Sequence, residues 1–257
     1  MGTTNPFERH GIDHLSPSSL RLWRDCPSVW IGKYMLRAPD DSGPGAWRGH
    51  AVEVGVDRML FGMAGGLPDI AMHEAFETLA QGLADDDVEK ERKALPDFYL
   101  QARIAFDGKP VPLQRQAKMT LMLPGIEVPL VGFADWLWPE YGVDLKTTWR
   151  MPNGGKPDPS HVDQVAAYSM FHGVPFHLTY VTPKRWTTFE VTRDEAAEGY
   201  ERTIEAAQAV RSLLNRVDGA HDALSMFSPD YDDYHFRPAM VEAVKAAKAV
   251  RSIRAAQ

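Results

Sequence analysis

Residues 128–148, VPLVGFADWLWPEYGVDLKTT, predict two strands joined by a turn. Alternation brings Val131, Phe133 and Trp136 to apolar positions, and Pro139, Glu140, Tyr141 and Gly142 supply the turn chemistry. The second strand is short, over residues 143–147. Side chains in a strand alternate with period two, so Asp144 and Lys146 share one face and Leu145 takes the other. A hairpin would set Asp135, near the end of the first strand, beside Asp144. Two carboxylates and an amine then converge on one spot. Hard divalent cations such as Mg2+ bind through oxygen and keep several waters, which suits a pair of aspartates. An ammonium beside them can orient a water or offset charge on a phosphate. A bare D-x-K is a short motif, and a surface ion pair is its plain alternative.

The flanking sequence supplies more elements. Residues 114–123 alternate as a strand expected to pair with the one ending at Asp135. Residues 150–159 are rich in Pro and Gly and read as a flap or a linker. Ser160 is expected to cap a helix over 161–171 that ends at Gly173. Gln164 and Tyr168 lie four apart on one face of that helix. Two further strands are predicted at 176–181 and 186–191, then a helix over 193–216. A last helix, over 239–254, places Lys245, Lys248, Arg251 and Arg254 every third residue, a broad basic flank that meets phosphates or solvent.

Upstream, residues 1–14 read as an irregular arm, and Ser16 caps a helix with Pro17 at its first position and a restart at Pro27. A helix over 47–60 carries Glu53 four residues after Gly49, with His50 and Asp57 one turn to either side; an exposed charged face is the alternative. Residues 69–107 predict one or two amphipathic helices interrupted near Pro96. The acidic run Asp85, Asp86, Asp87, Glu89 and Glu91 reads as a solvated loop and helix start.

The 44% hydrophobic and 25% charged content of the 257 residues is ordinary for a globular chain, and no apolar run is long enough to span a membrane. The first residues show neither a basic nor an apolar leader segment, so a cytoplasmic protein of a bacterium or a phage-infected cell is expected. The single cysteine, Cys26, excludes an internal disulfide and reads as a small core residue. A net charge of −7 is awkward for a DNA-binding protein, although 28 basic residues leave room for local patches.

Three ordered pieces carry a family resemblance: Gly132-Phe-Ala-Asp135, then Asp144-Leu-Lys-Thr-Thr148 nine residues on, then Gln164-Val-Ala-Ala-Tyr168. Together they resemble the core of the PD-(D/E)XK nucleases, in the RecB-like and phage exonuclease branch. The stretch S-P-S-S-L-R-L-W-R-D-C-P from Ser16 and the Gly49–Glu53 spacing resemble further segments of that branch, so the likeness runs from Ser16 to about Tyr180. It implies an α/β fold with a mixed central sheet flanked by helices, the restriction-endonuclease-like core. Helical additions at both ends would complete a single domain over residues 1–257, the basic helix lying at 238–257.

The resemblance also implies a metal-dependent DNA exonuclease in phage or bacterial recombination, repair or processing. Glu53, Asp135, Asp144 and the Leu145 carbonyl would hold Mg2+ or Mn2+. Lys146 would position or deprotonate the attacking water, and Gln164 and Tyr168 would orient Lys146 or the DNA backbone. Ser16, Ser18, Arg48, His50, Lys245, Lys248 and Arg251 are candidate DNA contacts. The partner cysteines of cluster-bearing relatives are missing here, so no iron–sulfur cluster is expected. DNA is the expected partner, with a single-strand annealing or recombination protein as a candidate second one, no membrane, and the oligomeric state open. The rival readings are a structure-specific endonuclease or nickase, a silent DNA-binding assembly module, and hydrolysis of some other phosphodiester.

Overall fold

A computed structural model describes residues 5–39, 42–62 and 67–254, with the backbone alone for residues 250–254. In chain order the elements are α1 (Pro6–Arg9), α2 (Pro17–Asp25), α3 (Pro27–Tyr34), α4 (Pro44–Phe61), α5 (Pro68–Ala80), α6 (Asp86–Phe106), β1 (Gln114–Leu121), β2 (Leu130–Leu137), β3 (Gly142–Thr147), α7 (Pro159–His172), β4 (Phe176–Val181), β5 (Trp186–Glu190), α8 (Arg193–Arg216), α9 (Ala220–Ser225) and α10 (Pro238–Arg254). The five strands form one sheet in the order β1-β2-β3-β4-β5. Strands β2 and β3 are an antiparallel hairpin, β3 and β4 are parallel, and β4 and β5 are antiparallel. The sheet is therefore mixed and the fold is α/β. A parallel neighbour requires a crossover, and α7 supplies it between β3 and β4. No helix among the described residues is long and apolar enough to cross a membrane.

The chain divides into two compact units. The first comprises residues 1–41, 120–132 and 200–257. Its α1 replaces part of the expected irregular arm, because Phe7 and Ile12 are buried and fasten that segment. In α2 the N-cap Ser16 accepts from the Ser19 backbone while the Ser19 hydroxyl meets the Ser16 backbone N–H, a reciprocal capping box. Cys26 is buried, and burial pushes its thiol pKa up, which fits the small core residue expected of it. The short helix α9 was not foreseen from the sequence. Its last turn is capped by Lys248 of α10, whose ammonium donates to the Leu224 and Phe227 carbonyls at 3.2 and 2.6 Å.

The second unit comprises residues 42–119 and 133–199. Its core joins Val52, Val56 and Leu60 of α4, Phe76 of α5, Leu95, Phe98 and Phe106 of α6, and Trp136, Val143 and Val181 of the sheet. Helix α6 runs unbroken through Pro96 where an interruption was expected. An interior proline costs roughly 3 kcal/mol. Burial of Leu95, Phe98 and Tyr99 beside it offsets that loss, as tertiary packing commonly does for helices. Along β2 the expectation holds at Trp136 and fails at Phe133. Leu130, Ala134 and Trp136 are buried, while Phe133 stands on the opposite face with 47% of its surface exposed. Helix α7 begins two residues earlier than expected, since Asp158 rather than Ser160 is the cap and Pro159 takes the first helical position.

Helix α4 is anchored by polar contacts as well as by its apolar face. The Arg48 guanidinium donates to Glu91 of α6, and it reaches the Thr147 carbonyl at the end of β3 at 3.1 Å. Its plane lies 4.3 Å from the centre of the Phe98 ring, and Trp149 donates to the second Glu91 oxygen at 2.8 Å. Arg48 is only 4% exposed, so it cannot reach a phosphate without leaving this network, and its assignment as a DNA contact is corrected. Glu91 likewise departs from the solvated acidic run, because an arginine one helix away takes its charge into the interior. One turn after Glu53, Asp57 accepts from the Trp136 indole at 2.6 Å and fastens the same helix to β2.

Breaking a buried ion pair strands the remaining charge, at a cost of about 3–5 kcal/mol. Arg48→Ala is expected to lower the urea unfolding free energy by about that amount. A variant that unfolds like the wild type but no longer retains DNA on a filter would return Arg48 to the DNA-contact set.

Candidate active site

The hairpin register pairs Trp136 with Val143 and Leu137 with Gly142. One step further along, Asp135 stands opposite Asp144, where side chains in an antiparallel pair are roughly 5 Å apart. Such close carboxylates repel each other unless donors or cations compensate. The local backbone supplies the first donor, since the Leu145 N–H gives a 2.7 Å bond to Asp135 Oδ2.

Asp144 is only 1% exposed. Its Oδ2 lies 2.6 Å from Lys146 Nζ, yet it receives no aligned hydrogen bond. The contact is an ion pair by proximity, with a lone pair of Oδ2 still uncommitted. Lys146 also donates to Gln164 Oε1 at 2.9 Å. Accepting from an ammonium fixes which end of the Gln164 amide is oxygen. Its nitrogen then donates to Asp144 Oδ1 at 3.2 Å and to the Tyr168 hydroxyl at 3.0 Å. Gln164 and Tyr168 come from α7, the crossover that the β3–β4 pairing demands, so sheet topology itself brings them beside β3. Tyr168 is buried, and desolvation with the nearby Asp144 charge raises its pKa, so its hydroxyl stays protonated.

Glu53 arrives from α4. The helix passes close to the end of β3 at Gly49, where a Cβ would lie 3.3 Å from Thr147 Oγ1. One turn on, the side-chain amide of Gln116 in β1 donates to Glu53 Oε1 and comes within 3.4 Å of Asp135 Oδ1. Burial raises the Glu53 pKa from 4.5 to about 7, with the Asp57 and Asp144 charges adding to the rise and the Gln116 bond opposing it. Asp135 is also pushed well above the ordinary carboxylate range, first by burial and then by the Asp144 and Glu53 charges. Burial and mutual repulsion thus hold protons on Glu53 and Asp135, because full ionisation of the three carboxylates would exceed what the neighbouring donors neutralise.

Structure thus gathers six sequence-predicted residues, Glu53, Asp135, Asp144, Lys146, Gln164 and Tyr168, in one unit. The Leu145 backbone joins them through its N–H. Other candidates lie elsewhere or are occupied. His50 is exposed on α4. Ser16 is engaged as the α2 cap, with Ser18 on its hydroxyl at 3.0 Å. Lys248 caps α9, contrary to its expected role as a phosphate contact, because two carbonyls bind its ammonium. Lys245 lies 5.1 Å from the centre of the Tyr231 ring, and the Arg251 side chain lies outside the described residues. Two contributors were missed. Gln116 is a polar residue in a strand with no motif around it, and the Arg48–Glu91 pair is split between two helices.

Among the described residues no three His, Cys, Asp or Glu side chains are already drawn together as a metal cage. The donor set nevertheless fits a hard divalent cation. Three carboxylates crowd without matching positive charge, and buried Asp144 Oδ2 lacks an aligned donor.

No protein-family model matches the sequence, and no curated protein matches it. Among solved structures, a presumed exonuclease from Eubacterium rectale superposes with a TM-score of 0.59 at 17% identity, covering 84% of this chain and 86% of that one. That likeness establishes a shared fold. The structure of SSO0001 aligns at a TM-score of 0.36 and 16% identity over 70% of this chain and 95% of its own. LHK-Exo in complex with dAMP aligns at 0.33 and 12% identity over 66% and 96%. Scores this low carry no argument for this chain.

The carboxylate shifts have a consequence for stability. Folded Glu53 keeps its proton up to about pH 7, whereas the unfolded chain releases it near 4.5, so the folded state binds more protons between these values. Stability of the metal-free protein should therefore fall as pH rises from about 4.5 to about 7, then level off. Asp135 acts in the same direction. In urea titrations with EDTA, Glu53→Gln should remove about 1–3 kcal/mol of that fall. A Glu53→Gln protein with the wild-type pH profile would show that Glu53 is ordinarily acidic.

Proposed function

We propose that the chain is a metal-dependent nuclease that hydrolyses DNA phosphodiester bonds from an end. The observation that carries this reading is the unbroken chain Asp144–Lys146–Gln164–Tyr168 beside the crowded Glu53 and Asp135. A surface ion pair has no use for a buried aspartate, a glutamine bridging it to the lysine, and two further carboxylates with raised pKa values. The shared fold with a presumed exonuclease is compatible with the reading but does not carry it.

Glu53, Asp135 and Asp144 would hold Mg2+ or Mn2+, with the Leu145 carbonyl as a further candidate ligand. The bound ion would supply positive charge to polarise the scissile phosphate and acidify a water. The chain's own residues do the rest. An ammonium has three N–H donors. Gln164 takes one N–H of Lys146 Nζ at 2.9 Å, and Asp144 Oδ2 lies beside the ammonium as an unaligned ion-pair partner, so donor capacity remains for a water or a phosphate oxygen. Gln164 holds the ammonium beside the aspartate. Tyr168 anchors the far end of the amide and excludes solvent behind it. Contacts to phosphate carry no sequence information, so little sequence preference is expected. A place in recombination, repair or phage DNA processing, and a protein partner there, belong to this proposal as its widest extension.

Loss of the positioning ammonium or of a ligand removes several kcal/mol of transition-state stabilisation, about three decades in rate. Lys146→Ala and Asp144→Asn should each lose that much cleavage of end-labelled linear DNA in Mg2+ while unfolding cooperatively. EDTA should abolish the wild-type reaction. Linear DNA should disappear while covalently closed circles persist. Nicked circles would transfer the site to an endonuclease, and undiminished cleavage by folded Lys146→Ala would overturn the assignment.

A further inference from the structure

We propose that Gln116 is a positioning residue of this site, an amide behind Glu53 and Asp135 that keeps both carboxylates aimed at one cation; the inference rests on the metal-site reading above. The first observation is its backbone. Gln116, the third of the eight residues of β1, has φ 46°, in the left-handed region that side-chain-bearing residues seldom enter. Two other described non-glycine residues share a positive φ, Arg37 and Gln81. Gln81 ends helix α5, where that conformation is ordinary, and Arg37 lies in a connector. Gln116 alone of the three interrupts a strand. A strained conformation persists where its surroundings fix it, and such residues gather at functional sites. Buried Ala117 and Met119 anchor the strand immediately after it.

The second observation is where the side chain goes. Its Nε2 donates to Glu53 Oε1 and approaches Asp135 Oδ1 at 3.4 Å, tying a helix to a strand across the recess. A primary amide has two N–H groups and can serve both carboxylates at once. Each carboxylate oxygen has two lone pairs, so an oxygen holding the amide can still ligate an ion. The amide therefore need not leave when a cation arrives. Groups that orient metal ligands from behind typically contribute 10–100-fold to affinity.

Glycine adopts φ 46° without strain, so Gln116→Gly removes the amide and keeps the strand path. Calorimetric titration of Mn2+ into the full chain should give a Kd about 10–100-fold weaker for Gln116→Gly than for wild type, with an unchanged or higher urea midpoint. Asparagine also tolerates this backbone but withdraws the amide by one methylene, and Gln116→Asn should weaken Mn2+ binding in the same direction. A lowered urea midpoint with an unchanged Kd would make Gln116 a structural residue and overturn the inference. Equal, normal Kd values in all three proteins would overturn it too, while leaving the metal site standing. A wild-type protein that binds no Mn2+ would instead bring down the metal-site reading and this inference together.

Discussion

Asp135 and Asp144 face each other across a two-stranded hairpin, and the repulsion between them sets the terms for everything packed around it. One carboxylate takes a backbone N–H, the other an ammonium, and a third carboxylate from α4 adds to the crowding. A fold selected for stability alone would place an apolar residue or an amide at one of these positions. Retaining the excess charge in a recess costs stability near neutral pH. A bound divalent cation would reverse that cost, since anything that binds only the folded state stabilises it.

The site depends on a helix that must not drift. Glu53 can reach Asp135 only while α4 keeps its depth and rotation, and α4 is fixed by the Arg48–Glu91 pair and by the Asp57–Trp136 bond. Glycine sharpens the approach. At Gly55 a Cβ would lie 2.8 Å from the Tyr99 ring, so α4 and α6 come closer than larger residues permit. These polar anchors sit within two turns of Glu53 on the same helix. Charge on α4 thus serves two ends: Arg48 and Asp57 hold the element, and Glu53 presents a carboxylate to the recess.

Much of this was legible in the sequence. The hairpin, the shared face of Asp144 and Lys146, and the Gln164–Tyr168 face followed from alternation, turn residues and helical spacing, which are local properties. Helix boundaries came close where Ser, Pro and Gly signals were present, as at Ser16 and Gly173. What escaped was set by tertiary contacts. Whether Phe133 or Trp136 faces inward depends on which side of the sheet α4 and α6 cover, and a strand that carries apolar residues on both faces does not specify this. Pro96 reads as a break until the core beside it is known. Arg48 looks like a phosphate ligand and Glu91 like a solvated charge because neither shows its partner 43 residues away in the chain. Gln116 belongs to the site through an unusual φ that no neighbouring residue announces.

The central claim is that Glu53, Asp135 and Asp144 form one divalent-cation seat. Anomalous diffraction from crystals soaked in Mn2+ tests it without relying on turnover. The account predicts an anomalous peak at ligand distance, about 2.0–2.3 Å, from oxygens of all three carboxylates, with Lys146 still bonded to Gln164. Crystals that diffract well, take up Mn2+ elsewhere and show no peak among these three residues would contradict it.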